Sequence, residues 1–252
     1  MEIRRARMED WSGAKDFCMH TFSWGDYIEQ VWESWVREGN LMVCENDGSV
    51  LGIGHVAVAG QDAWVEGVRV RPSARRRGIG SALLVRAEEA AAASGAAYAR
   101  AAIESDNAES LALFGAAGYR AGGDWHMYSC KAGPGGCDMV KAAPASAWPE
   151  RYVKSWVWTP LDSDVPPERV VWVGEGPVAV LADSERFPGV LMVTVSHHAG
   201  WNAKGGGCII DYVAGFAHRA GQSIQVFSTV PLDHHYLDKK AYNVRIVEKR
   251  IG

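Results

Sequence analysis

Several absences narrow the reading first. The chain has no excess of positive charge: 26 Lys and Arg against 30 Asp and Glu leave a net charge of −4. A dedicated nucleic-acid binder should be basic on at least one face. No apolar run approaches the roughly 18–20 residues that span a bilayer. Met1-Glu2-Ile3-Arg4-Arg5 reads as the start of a strand, without the apolar centre of a signal peptide. Neither nucleic acid nor membrane is therefore expected as a partner, and the cytoplasm is the expected location. The five cysteines (Cys18, Cys44, Cys130, Cys137, Cys208) are odd in number, scattered and without a CxxC pair, so reduced thiols are expected. His197-His198 and His234-His235 could converge with Asp233 on an ion. With no HExxH or similar close spacing, however, no metal is expected.

What is present begins with an ordinary globular composition, 252 residues with 48% apolar and 22% charged, enough for one large domain or two small ones. The organising stretch is Trp64 to Ser94. Val65, Val68 and Val70 read as a strand that Pro72 ends. From Ile79 the spacing turns helical, with Ile79, Leu83, Ala87 and Ala90 on one face. The turn between, Arg75-Arg76-Arg77-Gly78-Ile79-Gly80-Ser81, makes an anion cradle, because glycines admit a ligand close to the backbone and a helix start presents unpaired N–H groups. Three arginines favour a pyrophosphate as guest. The turn lacks the lysine of a Walker loop and the third glycine of the dinucleotide fingerprint.

The pattern that does fit is Arg75-x-x-Gly78-x-Gly80, preceded by Val70-x-Pro72 and followed by Asn107 and a helix ending Ala117-Gly118-Tyr119. It resembles the acetyl-CoA signature of the GNAT superfamily of N-acetyltransferases over about residues 1 to 130. The resemblance implies an α/β (α+β) fold, a mixed central sheet flanked by helices, with acetyl-CoA bound by Val68, Val70, Arg75, Arg76, Gly78, Ile79, Gly80, Ser81, Asn107 and Phe114. It also implies a bulge in the central strand, for which Gly67 is the plausible place, and a helical pair walling the acceptor pocket. That pair is read at Asp10 to His20 and Asp26 to Glu38. In the second helix Ile28, Val31, Trp32, Trp35 and Val36 make an apolar face. Trp35 is core, substrate contact or both, and Asp26 reads as an N-cap.

Other elements follow by pattern. Leu41–Cys44, Asn46-Asp47-Gly48 and Val50–Ala59 signal a hairpin; Ala97–Ile103 and Trp125–Cys130 read as strands. Lys131–Pro149 has linker composition. Beyond it strands at Val170–Val173, Val178, Val190–Val195 and Ile224–Thr229, with a helix opening at Gly205, repeat the first half at an offset of about 125 residues. A further helix is read at Asp233–Tyr242 and a last strand at Val244–Arg250. The expected organisation is 1–130 catalytic, 131–150 linker, and 151–252 a smaller degenerate GNAT-like domain in which Trp201–Gly205 replaces the arginine turn.

Transfer of an acetyl group to an amine needs a base, and Glu66, a carboxylate on an apolar strand face four residues before Val70, is the candidate. The alternative is a structural glutamate bonded to a neighbour. Relatives often carry a tyrosine acid where this chain has Phe114, which has no proton to give. Tyr128 or Tyr119 takes that role, or the thiolate leaves unassisted. Tyr27, Trp35 and Arg69 are the candidate acceptor contacts. They resemble the histidine N-acetyltransferase-like branch, in which Arg69 could hold a carboxylate; the alternative pairs Arg69 with an acid of the protein. The expected activity is acetyl transfer from acetyl-CoA to a primary amine of a small molecule or amino acid, with the second half shaping the pocket or supporting a homodimer. A protein N-terminal or lysine acetyltransferase, and a non-catalytic acyl-CoA-responsive protein, are the alternatives.

Overall fold

A computed structural model describes the chain except for residues 20, 22–25, 162–164, 175, 197–202 and 239–241. It is a mixed α/β structure that divides into two compact units. The first comprises Met1–Ile103, Asn107–Gly122 and Ile246–Gly252, the second Glu104–Asp106 and Gly123–Arg245. Among the described residues no helix is long and apolar enough to cross a membrane.

The first unit contains β1 (Glu2–Arg5), α1 (Trp11–Cys18), α2 (Ile28–Glu38), β2 (Leu41–Asn46), β3 (Ser49–Ala59), β4 (Asp62–Val70), α3 (Ile79–Ala93), β5 (Tyr98–Glu104), α4 (Ala108–Ala116) and the start of β6 (Arg120–Cys130). β1 through β4 pair antiparallel in chain order, and β5 joins β4 in parallel after the α3 crossover. The alanine-rich sequence of α3 lets it lie close on the sheet. Leu84, Ala87 and Ala91 pack with Val56, Val65, Ala99 and Ala101 in one buried cluster. Ile28, Val31, Trp32 and Trp35 form the buried face of α2, as their spacing requires. The chain's last residues return to this unit: Ile251 N–H bonds the Ala97 carbonyl at 2.9 Å, and Glu248 accepts from Arg100 Nε at 3.1 Å. Arg100 also pairs with Asp62.

The second unit contains the rest of β6, β7 (Lys141–Ala142), β8 (Arg151–Lys154), β9 (Val157–Pro160), β10 (Val170–Trp172), β11 (Val178–Asp183), β12 (Val190–Ser196), α5 (Ala203–Ala220), β13 (Ser223–Ser228) and the start of β14 (Tyr242–Arg250), whose later residues belong to the first unit. Its sheet runs β6-β13-β12-β11-β10-β7, with β8–β9 a separate hairpin. β10, β11 and β12 pair antiparallel, and β13 joins β12 in parallel after α5. That is the succession of β2, β3, β4, α3 and β5. Ile209, Ile210, Val213 and Ala217 of α5 are buried against Leu191, Val193, Ile224 and Val226.

Four features differ from the sequence reading. Residues 131–150 are packed into the second unit: β7 pairs with β10, Ala143 is buried, and Gly133 N–H bonds the Ala214 carbonyl. Their glycines let backbone run against α5, since a Cβ on Gly135 would lie 2.6 Å from the Asp211 carbonyl oxygen. Secondly, the units do not part at residue 130, because the second holds 104–106 and the first recovers 246–252. Thirdly, the helix expected at 233–242 is absent from its described part, residues 233–238 and Tyr242, the last of which opens β14. Leu237 bridges Cys130 and the Tyr236 carbonyl accepts from Lys131 N–H, so this backbone completes a sheet edge. Fourthly, Cys137 and Cys208 form a disulfide across 71 residues, a separation that hides the pair from spacing arguments. The other three cysteines are free and buried, and burial pushes the Cys18 and Cys130 thiols up to about 12.

Candidate functional site

The site grows from a defect in the central ladder. Ile53 opposes Arg69, but His55 opposes Glu66, so two steps along β3 match three along β4. The extra residue is a bulge at Gly67, where φ is +65°. A Cβ there would sit 2.6 Å from the Trp35 ring, so both conformation and space require glycine. On its other edge β4 pairs with β5 only through Asp62, Ala63 and Trp64. Beyond Trp64 the described ladder between β4 and β5 ends, and a strand-like guest fits such an edge at Val68 and Val70. The Arg71 N–H bonds Leu51 on the β3 side at 2.8 Å. Successive peptide groups point to opposite edges, so the N–H and C=O of Val70 face the open side. Arg75 Nε donates to that carbonyl at 3.3 Å.

At the mouth of this opening α3 begins. Gly78 caps it at φ +78°, with nothing within 4 Å of where a side chain would start. The first intrahelical bond is Ala82 N–H to the Gly78 carbonyl, so the N–H groups of Ile79, Gly80 and Ser81 lie outside the helical ladder and carry its positive end. The Ile79 side chain is buried beside Met42, Cys44 and Leu83, which leaves only its backbone for a ligand. Gly80 packs against Leu113, and Ser81 is exposed. Arg75 and Arg76 are exposed; Arg75 Nη1 lies 3.7 Å from Glu109. Asn107 Oδ1 accepts the Ser110 N–H at 3.0 Å and so caps α4. Phe114 is buried, edge-on to Tyr119 at 4.9 Å.

Behind the bulge lies a polar cluster. Glu66, 8% exposed at its side chain, meets His55 Nδ1 at 3.0 Å, and His55 Nε2 meets Glu38 at 3.1 Å. The His55 ring is fully buried and stacks on Trp35, centroids 4.1 Å apart and planes 2° from parallel. Trp35 is itself fully buried, with Tyr27 edge-on at 6.0 Å. Arg69 faces Asp26, Nε to Oδ2 at 2.7 Å and Nη2 to Oδ1 at 3.2 Å, and lies 5.8 Å from the Tyr27 ring. Asp26 is not the N-cap of α2, which is Tyr27; its carboxylate accepts the Ile28 N–H at 3.3 Å and neutralises a nearly buried guanidinium. The sequence reading placed Glu66, Trp35, Tyr27 and Arg69, all of which this region brings together. It passed over His55 and Glu38. The available signal was a histidine inside the apolar strand 50–59, a residue type that, when buried, calls for polar partners.

Other candidates lie elsewhere. Tyr128 belongs to the second unit's core, where its hydroxyl accepts the Leu232 N–H at 2.8 Å. The Tyr119 hydroxyl is pushed far above its ordinary range by burial and by Glu88. Of the histidine pairs, 197–198 lie outside the described residues. His234 and His235 approach Asp211 rather than Asp233, their ligand atoms within 4.8 Å of one another. His234 Nδ1 accepts the Tyr236 N–H, so Nε2 carries the proton that faces Asp211 at 3.3 Å. Burial, and to a lesser degree His235, hold the His234 imidazolium below its ordinary value against the pull of Asp211.

Residues 2–119 match the model of the acetyltransferase (GNAT) family. The mycothiol acetyltransferase of Clavibacter michiganensis subsp. michiganensis is 33% identical over 119 residues, 44% of this chain. The match spans only 39% of that protein. Crystal structures also match nearly the whole chain. A Thermoplasma acidophilum protein assigned as an acetyltransferase is 15% identical over 99% of this chain and 100% of its own, TM-score 0.66. A GCN5-related N-acetyltransferase from Sphaerobacter thermophilus is 13% identical over 99% and 95%, TM-score 0.62. At these identities the two structures speak for the fold.

Proposed function

We propose, from the match of residues 2–119 to the GNAT acetyltransferase family, that the chain transfers the acetyl group of acetyl-CoA to a primary amine of a small molecule or amino acid. The observation that carries this is the opening of β4 from β5 beyond Trp64 with the start of α3 at its mouth. The residues fit the coenzyme. The open β4 edge at Val68 and Val70 suits the amide-bearing pantetheine arm. The N–H groups of Ile79, Gly80 and Ser81, with Arg75 and Arg76, suit a diphosphate. Acetyl-CoA supplies an activated thioester; the remaining work belongs to the chain.

The Val70 N–H, fixed on the open edge, is the donor toward which a thioester carbonyl can build charge, a contribution of about 2.7–4 kcal/mol in comparable sites. Glu66, nearly buried and held by His55, takes the ammonium proton. Departure of the thiolate needs no acid, because an ordinary thiol titrates near 8.5. We favour this over protonation by Tyr128, whose hydroxyl has a structural task. An acceptor carboxylate would compete with Asp26 for the fork of Arg69, so the amine is the group the site recognises.

Calorimetry with acetyl-CoA tests the coenzyme site. Glu at both Arg75 and Arg76 is expected to weaken binding roughly 10- to 100-fold. Thiol release across amino acids, polyamines, aromatic amines and a lysine peptide tests the acceptor, and Glu66→Gln is expected to lower kcat about 10²- to 10⁴-fold. No heat with acetyl-CoA, or fastest transfer to the peptide, overturns the proposal.

A further inference from the structure

The trio Glu38, His55 and Glu66 is more than a scaffold for one carboxylate. His55 and Glu66 are direct cross-strand partners on β3 and β4, so their side chains leave the sheet side by side. The bulge at Gly67 makes room for Trp35, and Trp35 lies flat on the imidazole at 4.1 Å, which fixes the ring plane. With the plane fixed, the two ring nitrogens point in opposite directions, one to each carboxylate, at 3.0 and 3.1 Å.

Two contacts of that length between nitrogen and carboxylate oxygen are both hydrogen bonds only if two protons lie in them. A neutral imidazole brings one. The second lies in the other contact, either on the carboxyl or on the ring as an imidazolium between two anions, and a fully buried ring holds it only with charge beside it. Glu66 is nearly buried, whereas Glu38 is 44% exposed at its side chain, so water shares the cost of the Glu38 charge and little of the Glu66 charge. Among the described residues, the charged groups near this end of α2 include Arg37, paired with Glu33, and Arg5 of β1, whose Nη1 lies 3.9 Å from where a Gly39 Cβ would be.

We propose that His55 and Glu38 are positioning residues that keep Glu66 a carboxylate, Glu38 by holding the second ring proton and His55 by placing that charge against Glu66, so that together they set the lower pH limit of acetyl transfer. This rests on the reading of Glu66 as the base. Two opposing effects follow from removing the Glu38 charge. Directly, a negative charge one ring away from Glu66 disappears, which helps Glu66 stay ionised. Indirectly, the imidazole in contact with Glu66 loses its hold on a proton, which does the reverse. The contact is closer and drier, so the indirect effect wins.

The test is kcat/KM against pH for wild type and Glu38→Gln, with acetyl-CoA and the fastest amine of the panel. Acetyl-CoA affinity and melting temperature are followed alongside. Gln keeps an oxygen for Nε2–H and loses only charge. The expected result is an acidic limb moved up by about one pH unit, hence activity roughly tenfold lower at a fixed pH below it, with coenzyme affinity and melting temperature unchanged. His55→Gln should move the limb in the same direction. An unmoved limb, or one moved to lower pH, in a folded Glu38→Gln protein overturns the inference. Glu66→Gln separates the two readings. If it leaves the rate intact, the base assignment fails; if it abolishes transfer while Glu38→Gln leaves the limb in place, only the present inference fails.

Discussion

The two units repeat one succession of strands and differ where it matters. In the first, β4 carries a bulge and pairs with β5 for three residues before the two strands part. In the second, β12 stays in register with β11 and pairs with β13 for six residues, Val190 to Val195. A bulge adds local twist and bends the strand that carries it, and here it coincides with the parting. The closed ladder satisfies the backbone of β12 internally and leaves no edge for an extended ligand. The parted ladder leaves the β5-facing edge of β4 without a strand beyond Trp64, with Arg69 Nη1 and Arg75 Nε donating to the Val68 and Val70 carbonyls. On the proposed reading, the coenzyme edge follows from one inserted residue, with Trp35 filling the space it creates.

The sharpest way to break this comparison is at Gly67. Val there would place a Cβ inside 3 Å of the Trp35 ring on a backbone at φ +65°. Strain and overpacking of this kind cost about 2–5 kcal/mol together. Because Trp35 supports His55, Gly67→Val is expected to lower the melting temperature and to cut kcat at least ~100-fold in the fraction that folds. Normal kinetics in this variant would show that the bulge is incidental. The second largest effect should come from Cys137–Cys208, which lies wholly in the second unit. By loop-closure entropy a 71-residue separation is worth up to about 4 kcal/mol. Cys137→Ser with Cys208→Ser should therefore destabilise the protein while a folded sample binds acetyl-CoA as before; lost binding would assign the second unit a part in the site.

How far the sequence carries depends on the reach of each interaction. The arginine-glycine turn, the strand before it and the helix after it are local, and their physics is written in consecutive residues. The same holds for the bulge, because a lone glycine in a strand has few other reasons to be there. Glu66 could be singled out as an odd carboxylate on an apolar strand. Its partners could not, because Glu38 and His55 meet only after α2 folds across the sheet and Trp35 settles under Gly67. Arg69 shows the same limit: the residue was visible, but its pairing with Asp26 depends on contact across 43 positions. The misread helix at 233–242 fails for a related reason. Its backbone is recruited by Cys130 and Lys131, more than ninety residues earlier, and tertiary pairing overrides local pattern there.

A smaller effect sharpens the contrast by placing acid sensitivity in the first unit. Asp10 is buried and accepts from both terminal nitrogens of Arg4, at 2.7 and 2.8 Å, and from the Arg7 N–H at 2.7 Å. The Arg4 hydrogen bonds, helped by that N–H, hold its carboxyl below the ordinary value despite burial. A carboxyl lowered on folding stabilises the fold above its unfolded value, near ~4, and that contribution fades as pH falls through the folded one. Asp10→Asn should therefore lower the melting temperature at pH 7, by an amount corresponding to about 1–2 kcal/mol. The gap from wild type should close steadily as pH falls below ~4. Melting curves of both proteins across that range decide it: a gap that persists at the acid end would mean that Asp10 acts through shape rather than charge.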